Sequence, residues 1–313
     1  MKPYFSVVIS VYNKSHFVAQ TLDSILNQDF TDFEVIIVDD GSTDNSLEVL
    51  NSFTDDKISI YPTKNQGVSA ARNFGMHKAK ANFIALSDGD DIWLTNHLSE
   101  LKRLIESFPN CGIYASSYQK MFFNDYTTQP KFLEVDHPFF GIVKDYFKTS
   151  IIDDILWTSA VAIPKELIDQ NYIFDEDLGC GEDTDLWINI AKNFEVAFSS
   201  KITAHKMMHA KDNHLSLTKN IPELITMLNK HKEDEKRNSS LKVYLDQNRY
   251  MTALESKILG DFKSYNLLKK DINFSNINSK LKILLKLPRP VLITLKKVKF
   301  WLLKKRLYKS PYR

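Results

Sequence analysis

Apolar residues follow two rhythms along the first hundred positions of the chain. Residues 4–11 (YFSVVISV) are β-branched, aromatic and bounded by polar positions, which predicts a buried strand. Val18, Leu22, Ile25 and Leu26 then recur at the helical spacing i, i+4, i+7 and i+8. The alternation repeats. Phe33–Val38 predicts a second strand, a short helix follows around Leu47, Val49 and Leu50 with Thr43 or Asp44 as its cap, and Lys57–Tyr61 predicts a third strand. Gly67–Lys80 reads as a helix and Asn82–Ser87 as a fourth strand. A helix carrying Leu98, Leu101, Leu104, Ile105 and Phe108 is expected next, capped by Thr95 and stopped at Pro109. Strands alternating with helices imply βαβ units and a mainly parallel sheet, in which ligands sit outside the carboxyl ends of the strands. Asp39-Asp40-Gly41-Ser42 and Asp88-Gly89-Asp90-Asp91 end two of these strands. The chemistry is expected there.

Beyond Cys111 the rhythm weakens. Residues 111–163 mix strand-like stretches with aromatics, Glu182–Lys192 predicts a short helix, and 221–272 reads as helical and polar. The 313 residues, 43% hydrophobic and 26% charged, suit a soluble globular protein with one large α/β domain and an appendage. Two cysteines, Cys111 and Cys180, cannot form a disulfide framework, so a reducing cytosolic setting is expected. The sequence opens on a strand, so no secretory leader is expected. No apolar stretch approaches the ~18–20 residues that span a bilayer. Charge changes this picture. Of the 41 basic residues, twelve fall in 280–313, which holds no acid; the other 29 face 39 acids, leaving 1–279 at about −10. An acidic body carries a basic tail.

Four segments carry candidate chemistry. In Asp88-Gly89-Asp90-Asp91, carboxylates one residue apart on a turn can share a hard divalent cation, which can bridge the phosphates of a nucleotide diphosphate. A solvated acidic turn accounts for the same residues. Val38-Asp39-Asp40-Gly41-Ser42-Thr43-Asp44 puts an acid where it can accept hydrogen bonds from a nucleobase or ribose, or where it merely shapes a turn. In Gly181-Glu182-Asp183 an acid pair begins a helix, which the macrodipole favours without any function. Asp183 there can also take the proton of an attacking hydroxyl. Asn65-Gln66-Gly67-Val68-Ser69-Ala70-Ala71-Arg72-Asn73 combines small residues with an arginine that either reaches phosphate oxygens or is an exposed helix residue.

Taken in order, Val7–Asn13 (VVISVYN), VDDGSTD, NQGVSAARN, DGDD and GED resemble glycosyltransferase family 2, over roughly residues 4–216. The resemblance implies an α/β GT-A fold, Rossmann-like, with a mainly parallel central sheet flanked by helices and a C-terminal helical extension. It also implies an enzyme that transfers one sugar with inversion, from a nucleotide-sugar (a UDP-hexose or UDP-N-acetylhexosamine) to a hydroxyl of a saccharide acceptor. On the same basis Val11, Asn13 and Asp39 line the base and ribose site, Arg72 faces the nucleotide, and Asp88 sits near ribose and metal. Asp90 ligates Mn²⁺ or Mg²⁺ and Asp183 is the base. In similar enzymes a histidine beyond the GED helix completes the metal site, and among His205, His209 and His214 the candidate is His209. Asp91, Glu182 and Trp157 are candidate supporting or acceptor-side residues. Gln247-Asn248-Arg249-Tyr250 does not match the Q-x-x-R-W of processive relatives, so a single transfer is expected.

Two other classes remain in view. A nucleotidyltransferase would carry a Gly-rich basic loop after the first strand, where Ser10-Val11-Tyr12-Asn13 stands instead. A non-catalytic nucleotide-sugar-binding scaffold would not need the intact Asp90 and Asp183. The expected organisation is a GT-A domain over 1–220 (nucleotide-binding half 1–92, acceptor half 93–220), a helical extension over 221–279 and a basic amphipathic tail over 280–313. In the tail Val291, Leu295, Val298 and Leu302 recur at helical spacing beside Phe300 and Trp301, with lysines interspersed, the pattern of an interfacial anchor. A cytoplasmic protein held peripherally on the anionic inner face of the cell membrane through 280–313 is therefore expected, acting on a lipid-linked acceptor in surface polysaccharide assembly. The alternative for the tail is a helix that neutralises the acidic body. No nucleic-acid-binding motif is present.

Overall fold

The structure is a computed structural model that describes residues 2–122, 126–208 and 220–307. Its first half follows the predicted alternation: β1 (Phe5–Val11), α1 (Val18–Leu26), β2 (Phe33–Asp39), α2 (Ser46–Asn51), β3 (Ile58–Pro62), α3 (Val68–Lys78), β4 (Phe83–Asp88), β5 (Ile92–Trp93) and α4 (His97–Ser107). There follow β6 (Ile113–Met121), β7 (Thr127–Thr128), β8 (Phe140–Ile142), α5 (Tyr146–Thr149), β9 (Val161–Pro164), α6 (Lys165–Asp169), α7 (Glu182–Ala191) and β10 (Val196–Met207). The remainder is helical: α8 (Ile221–Lys230), α9 (Ser239–Leu259), α10 (Phe262–Asp271), α11 (Ser279–Lys286) and α12 (Arg289–Lys304).

One sheet runs β3-β2-β1-β4-β9-β6-β10-β5, with β7 on β6 and β8 on β10. β3, β2, β1 and β4 pair in parallel, β9 is reversed between β4 and β6, and β6 pairs in parallel with β10. The carboxyl ends of β1, β2, β3, β4, β6 and β10 therefore share one edge. The register sets Val11 beside Asp39 and Ser10 beside Asp88 there.

Both faces of the sheet are covered, which is why its strands read as continuous apolar runs. Val8, Ile36, Val38, Ile84 and Leu86 face α3 and α7, while Val7, Ile9, Val35 and Ile37 face α1 and α4. The irregular stretch 111–163 supplies β6 and β9, the strands that carry the sheet past β4.

Of the two expected caps, the first falls on one of its two candidates and the second differs. Asp44, not Thr43, meets the first amide of α2, accepting from Ser46 N at 2.9 Å. Thr95 does not cap α4, which starts at His97 after Asn96; the Leu98 amide donates instead to Gln28 Oε1 at 3.0 Å. The acceptor comes from the end of α1, 70 residues earlier in the chain.

The C-terminal helices share the core of the sheet. Met227, Leu228, Leu241, Tyr244, Leu245 and Tyr250 belong to the same apolar cluster as Val8 and Ile84. The buried His231 sets Nε2 2.9 Å from Asp185 Oδ1 and so docks α8 on α7. The basic segment divides in two. α11 joins the body through Leu281, Leu285 and a Tyr250 hydroxyl bond of 3.0 Å to the Leu281 carbonyl. α12 buries Leu292 and Leu303, pairs Lys296 with Glu255 at 2.6 Å, and exposes Val291, Leu295, Val298, Phe300 and Trp301. Among the described residues no helix is long and apolar enough to cross a membrane.

Candidate active site

The shared edge brings the first two acidic turns together. Asn13, at φ +53°, locks them: its side-chain oxygen accepts from Thr43 N at 2.7 Å and Asp44 N at 3.3 Å. Val11 is buried beneath. The adjacent Asp39 and Asp40 have different tasks. Asp40 accepts from Gln66 N and Gly67 N, both at 2.9 Å, and so clasps the start of α3. Burial, reinforced by the Asp39 charge, holds the Asp40 carboxyl above its usual range despite those donors. Gly41 makes the clasp possible, since a Cβ at its φ of +70° would stand 2.8 Å from Asn65 N. Asp39 is 2% exposed; one oxygen accepts from Ser42 N at 3.3 Å, and the other, Oδ1, has no partner among the described residues. A buried, unspent acceptor at a strand end suits a ligand donor.

Arg72 joins the later motifs. Its Nη2 lies 2.6 Å from Asp88 Oδ1 and its Nη1 2.8 Å from Glu182 Oε1, so α3 ties the end of β4 to the start of α7. Burial alone would lower its pKa, but Asp88, Glu182 and Asp183 together raise it and keep the guanidinium charged. Likewise burial would push Asp88 up, yet Arg72, Lys206 and Lys14 hold it below its usual range. The expected nucleotide-facing arginine is thus committed to two carboxylates. Removing one member of such a buried pair typically costs about 3–5 kcal/mol.

The three aspartates of DGDD point to different partners. Asp90 takes the Lys14 ammonium at 2.6 Å. Asp91 is turned inward, accepting from Ser159 Oγ at 2.7 Å and Met207 N at 3.1 Å, and burial beside Asp90 and Asp88 raises its carboxyl well above the usual range. It supports the loop. Asp183 is the second residue of α7, which begins at Glu182 after Gly181, whose φ is +83°; one Asp183 oxygen accepts from Thr184 N at 2.6 Å and Thr184 Oγ1 at 3.2 Å. Trp157 is buried with its ring 4.9 Å from that of Tyr118, and Lys206 Nζ stands 5.4 Å from its centroid. His209 lies outside the described residues.

Lys14, Lys206, Ser159, Asp154, Tyr146 and Tyr244 also belong to this neighbourhood, and none was singled out from the sequence. Only Lys14 carried a local signal, as the residue after Asn13 in the first strand's loop.

Among the described residues no three His, Cys, Asp or Glu side chains are grouped to hold a metal. The chemistry of the donor set still fits one. Asp88 and Asp90 are hard carboxylates on one turn, and Mg²⁺ is commonly held by about one or two carboxylates plus substrate phosphates.

Comparison with known proteins bears on the family and the fold. The family model described as Glycosyl transferase family 2 matches residues 6–162. An uncharacterized glycosyltransferase of Rickettsia bellii is 33% identical over 192 residues, 59% of this chain and 26% of that protein. A second, from Rickettsia felis, is 32% identical, and the match takes in 30% of its length. The chain thus spans about a quarter to a third of these relatives. Among solved structures, S. aureus TarS 1–349 in complex with UDP-GlcNAc superposes with a TM-score of 0.70 at 18% identity, covering 95% of this chain and 88% of that one. The mannosyltransferase PcManGT of Pyrobaculum calidifontis, in complex with GDP-Man and Mn²⁺, gives 0.58 at 17% identity over 96% and 87%.

Proposed function

Since the chain belongs to glycosyltransferase family 2 and has the GT-A fold, we propose that it transfers a single sugar from a nucleotide-sugar to a hydroxyl of a saccharide acceptor, inverting the anomeric centre. The observation that carries this reading is the Arg72 bridge, which draws Asp88 and the Glu182-Asp183 helix start to one edge of the sheet. A UDP-hexose or UDP-N-acetylhexosamine is the proposed donor, supported by the TarS complex with UDP-GlcNAc.

Asp39 accepts hydrogen bonds from the base or ribose through its unpartnered oxygen. Asp183 takes the acceptor hydroxyl's proton while that oxygen bonds to the anomeric carbon, and the bond to the diphosphate breaks with its electron pair leaving on the phosphate. Asp88 and Asp90 are the residues that would hold Mn²⁺ or Mg²⁺, a reading the Mn²⁺ complex of PcManGT supports. Such a cation supplies positive charge to the departing diphosphate. Lys14 and Lys206 add two ammonium groups near the same carboxylates. Replacing Asp183 by Asn should lower transfer at least about a thousandfold while UDP affinity, read by calorimetry, stays within twofold of wild type. Substantial turnover in that variant removes Asp183 from the base role.

We also propose that α12 rests on the anionic inner face of the cell membrane and brings the site to a lipid-linked acceptor in surface polysaccharide assembly. Eleven of the fifteen large apolar side chains that stand exposed among the described residues lie beyond residue 250, five of them on α12. Each neighbouring lysine adds about 1 kcal/mol of attraction to an anionic leaflet. Trp301→Ser with Leu295→Ser should weaken co-sedimentation with phosphatidylglycerol vesicles about tenfold or more; undiminished sedimentation counts against α12 as the anchor.

A further inference from the structure

The segment that leads from α6 into α7 carries Asp183, and its course from Phe174 to Asp185 is gripped from two sides. On one side stands α3, whose Ser69, Arg72 and Asn73 share a helix face at the spacing i, i+3 and i+4. Ser69 Oγ donates to the Leu178 carbonyl at 2.7 Å. The Asn73 side chain pairs with the backbone of Phe174, donating to its carbonyl and accepting from its N–H, both at 2.9 Å. Arg72 holds Glu182 at 2.8 Å.

On the other side stands α8, to which the mechanism above gives no task. Lys230 Nζ lies 2.6 Å from Asp175 Oδ2 and 2.7 Å from Asp185 Oδ2, so one ammonium joins the two ends of the segment. The buried His231 sets Nε2 2.9 Å from the other Asp185 oxygen. Between the ends, Glu223 Oε2 accepts from Gly179 N at 3.0 Å. Gly181 turns directly against α8, where a Cβ would stand 3.1 Å from Leu224 Cδ2 and 3.3 Å from Met227 Cε. The holds alternate along the chain. Phe174, Leu178 and Glu182 are taken by α3, and Asp175, Gly179 and Asp185 by α8. Asp183 falls between the last hold on α3 and the last hold on α8.

We propose that α8 is the outer brace of Asp183 and that Lys230 is the positioning residue through which the brace acts. The proposal rests on the reading of Asp183 as the base. Misplacing a catalytic group by about 1 Å can cost about a hundredfold in rate. A segment held by α3 alone keeps Glu182 on Arg72 but loses the tie that closes it beyond Asp183. Donor binding is assigned to Asp39, Asp88 and Asp90 at the strand ends, whereas Lys230 meets Asp175 and Asp185. The brace therefore serves turnover and leaves donor affinity alone.

The test compares Lys230→Met and Lys230→Arg with the wild-type chain. The readouts are UDP affinity by calorimetry with Mn²⁺, kcat with the UDP-sugar that supports wild-type UDP release, and amide hydrogen exchange without ligand. Lys230→Met should lower kcat about tenfold or more while UDP affinity stays within about twofold. Exchange at the Gly179 and Asp185 amides should quicken about tenfold. Lys230→Arg, whose fork can meet both carboxylates, should keep kcat within about threefold of wild type. Wild-type kcat in Lys230→Met overturns the proposal, as does a loss of UDP affinity equal to the loss of kcat. Lys230 is 34% exposed, so its replacement should fold. Should Lys230→Met not fold, Glu223→Ala carries the test, and an unchanged kcat and Gly179 exchange rate there overturn the proposal. Turnover in Asp183→Asn would instead defeat the base assignment and leave the exchange result standing, so the two failures are separable.

Discussion

The edge formed by β1, β2 and β4 and the surface formed by residues 111–180 with α9 are assembled in opposite ways. On the first, side chains clamp backbone amides across neighbouring turns: Asn13 holds Thr43 and Asp44, and Asp40 holds Gln66 and Gly67. On the second, side chains clamp side chains from far along the chain: Tyr244 reaches Asp154 across 90 positions, and Ser159 reaches Asp91 across 68. An amide clamp depends on one residue and a turn, so it is compact and rigid. A hydroxyl or aromatic clamp depends on where whole helices dock. The edge of β1, β2 and β4 is thus a local device and the surface of residues 111–180 with α9 a tertiary one.

Arg72 ties the end of β4 to the start of α7 through two ion pairs, and breaking it gives the largest expected effect. Arg72→Met leaves Asp88 and Glu182 facing each other without their cation. A stability loss of about 3–5 kcal/mol in urea unfolding is expected, together with loss of transfer. A variant unfolding at the wild-type midpoint would mean that the bridge contributes nothing to holding β4 and α7 together. A smaller pair of changes sharpens the contrast within one dipeptide. Asp40→Asn turns an amide group toward one of the two backbone donors and should cost about 1–3 kcal/mol of stability. Asp39→Asn leaves the clasp alone and should weaken UDP binding by about tenfold, with stability unchanged. If calorimetry and unfolding returned the reverse pattern, the division of labour between these neighbours would be wrong.

What the sequence disclosed follows the same line. The strand ends and their aspartates were legible because apolar runs and Asp/Gly turns are local signals. Arg72 was legible as a residue of interest, though not as a tie between Asp88 and Glu182, since nothing in α3 announces an acid 110 positions away. The cap of α4 was misread for the same reason: Thr95 has the right chemistry and position, but Gln28 from the end of α1 reaches the amide. Asp91 carries the same letter as Asp88 and Asp90 yet faces Ser159 and Met207, an orientation set by the arrival of β10 and of the turn before β9. Asp154 had no motif around it at all. The C-terminal helices read as an appendage because polar surface dominates their composition, whereas Leu241, Tyr244 and Leu245 merge with the core of the sheet.

Helix α9 has one further consequence. It presents Tyr244 to Asp154 near its start and receives the last two helices near its end, through Lys257 on the Leu285 carbonyl and Glu255 on Lys296. At 1.5 Å per residue, these stations are separated by about 15–20 Å along the axis. Whatever α12 lies against is therefore held at a constant stand-off from Asp154, as a foot is by a strut.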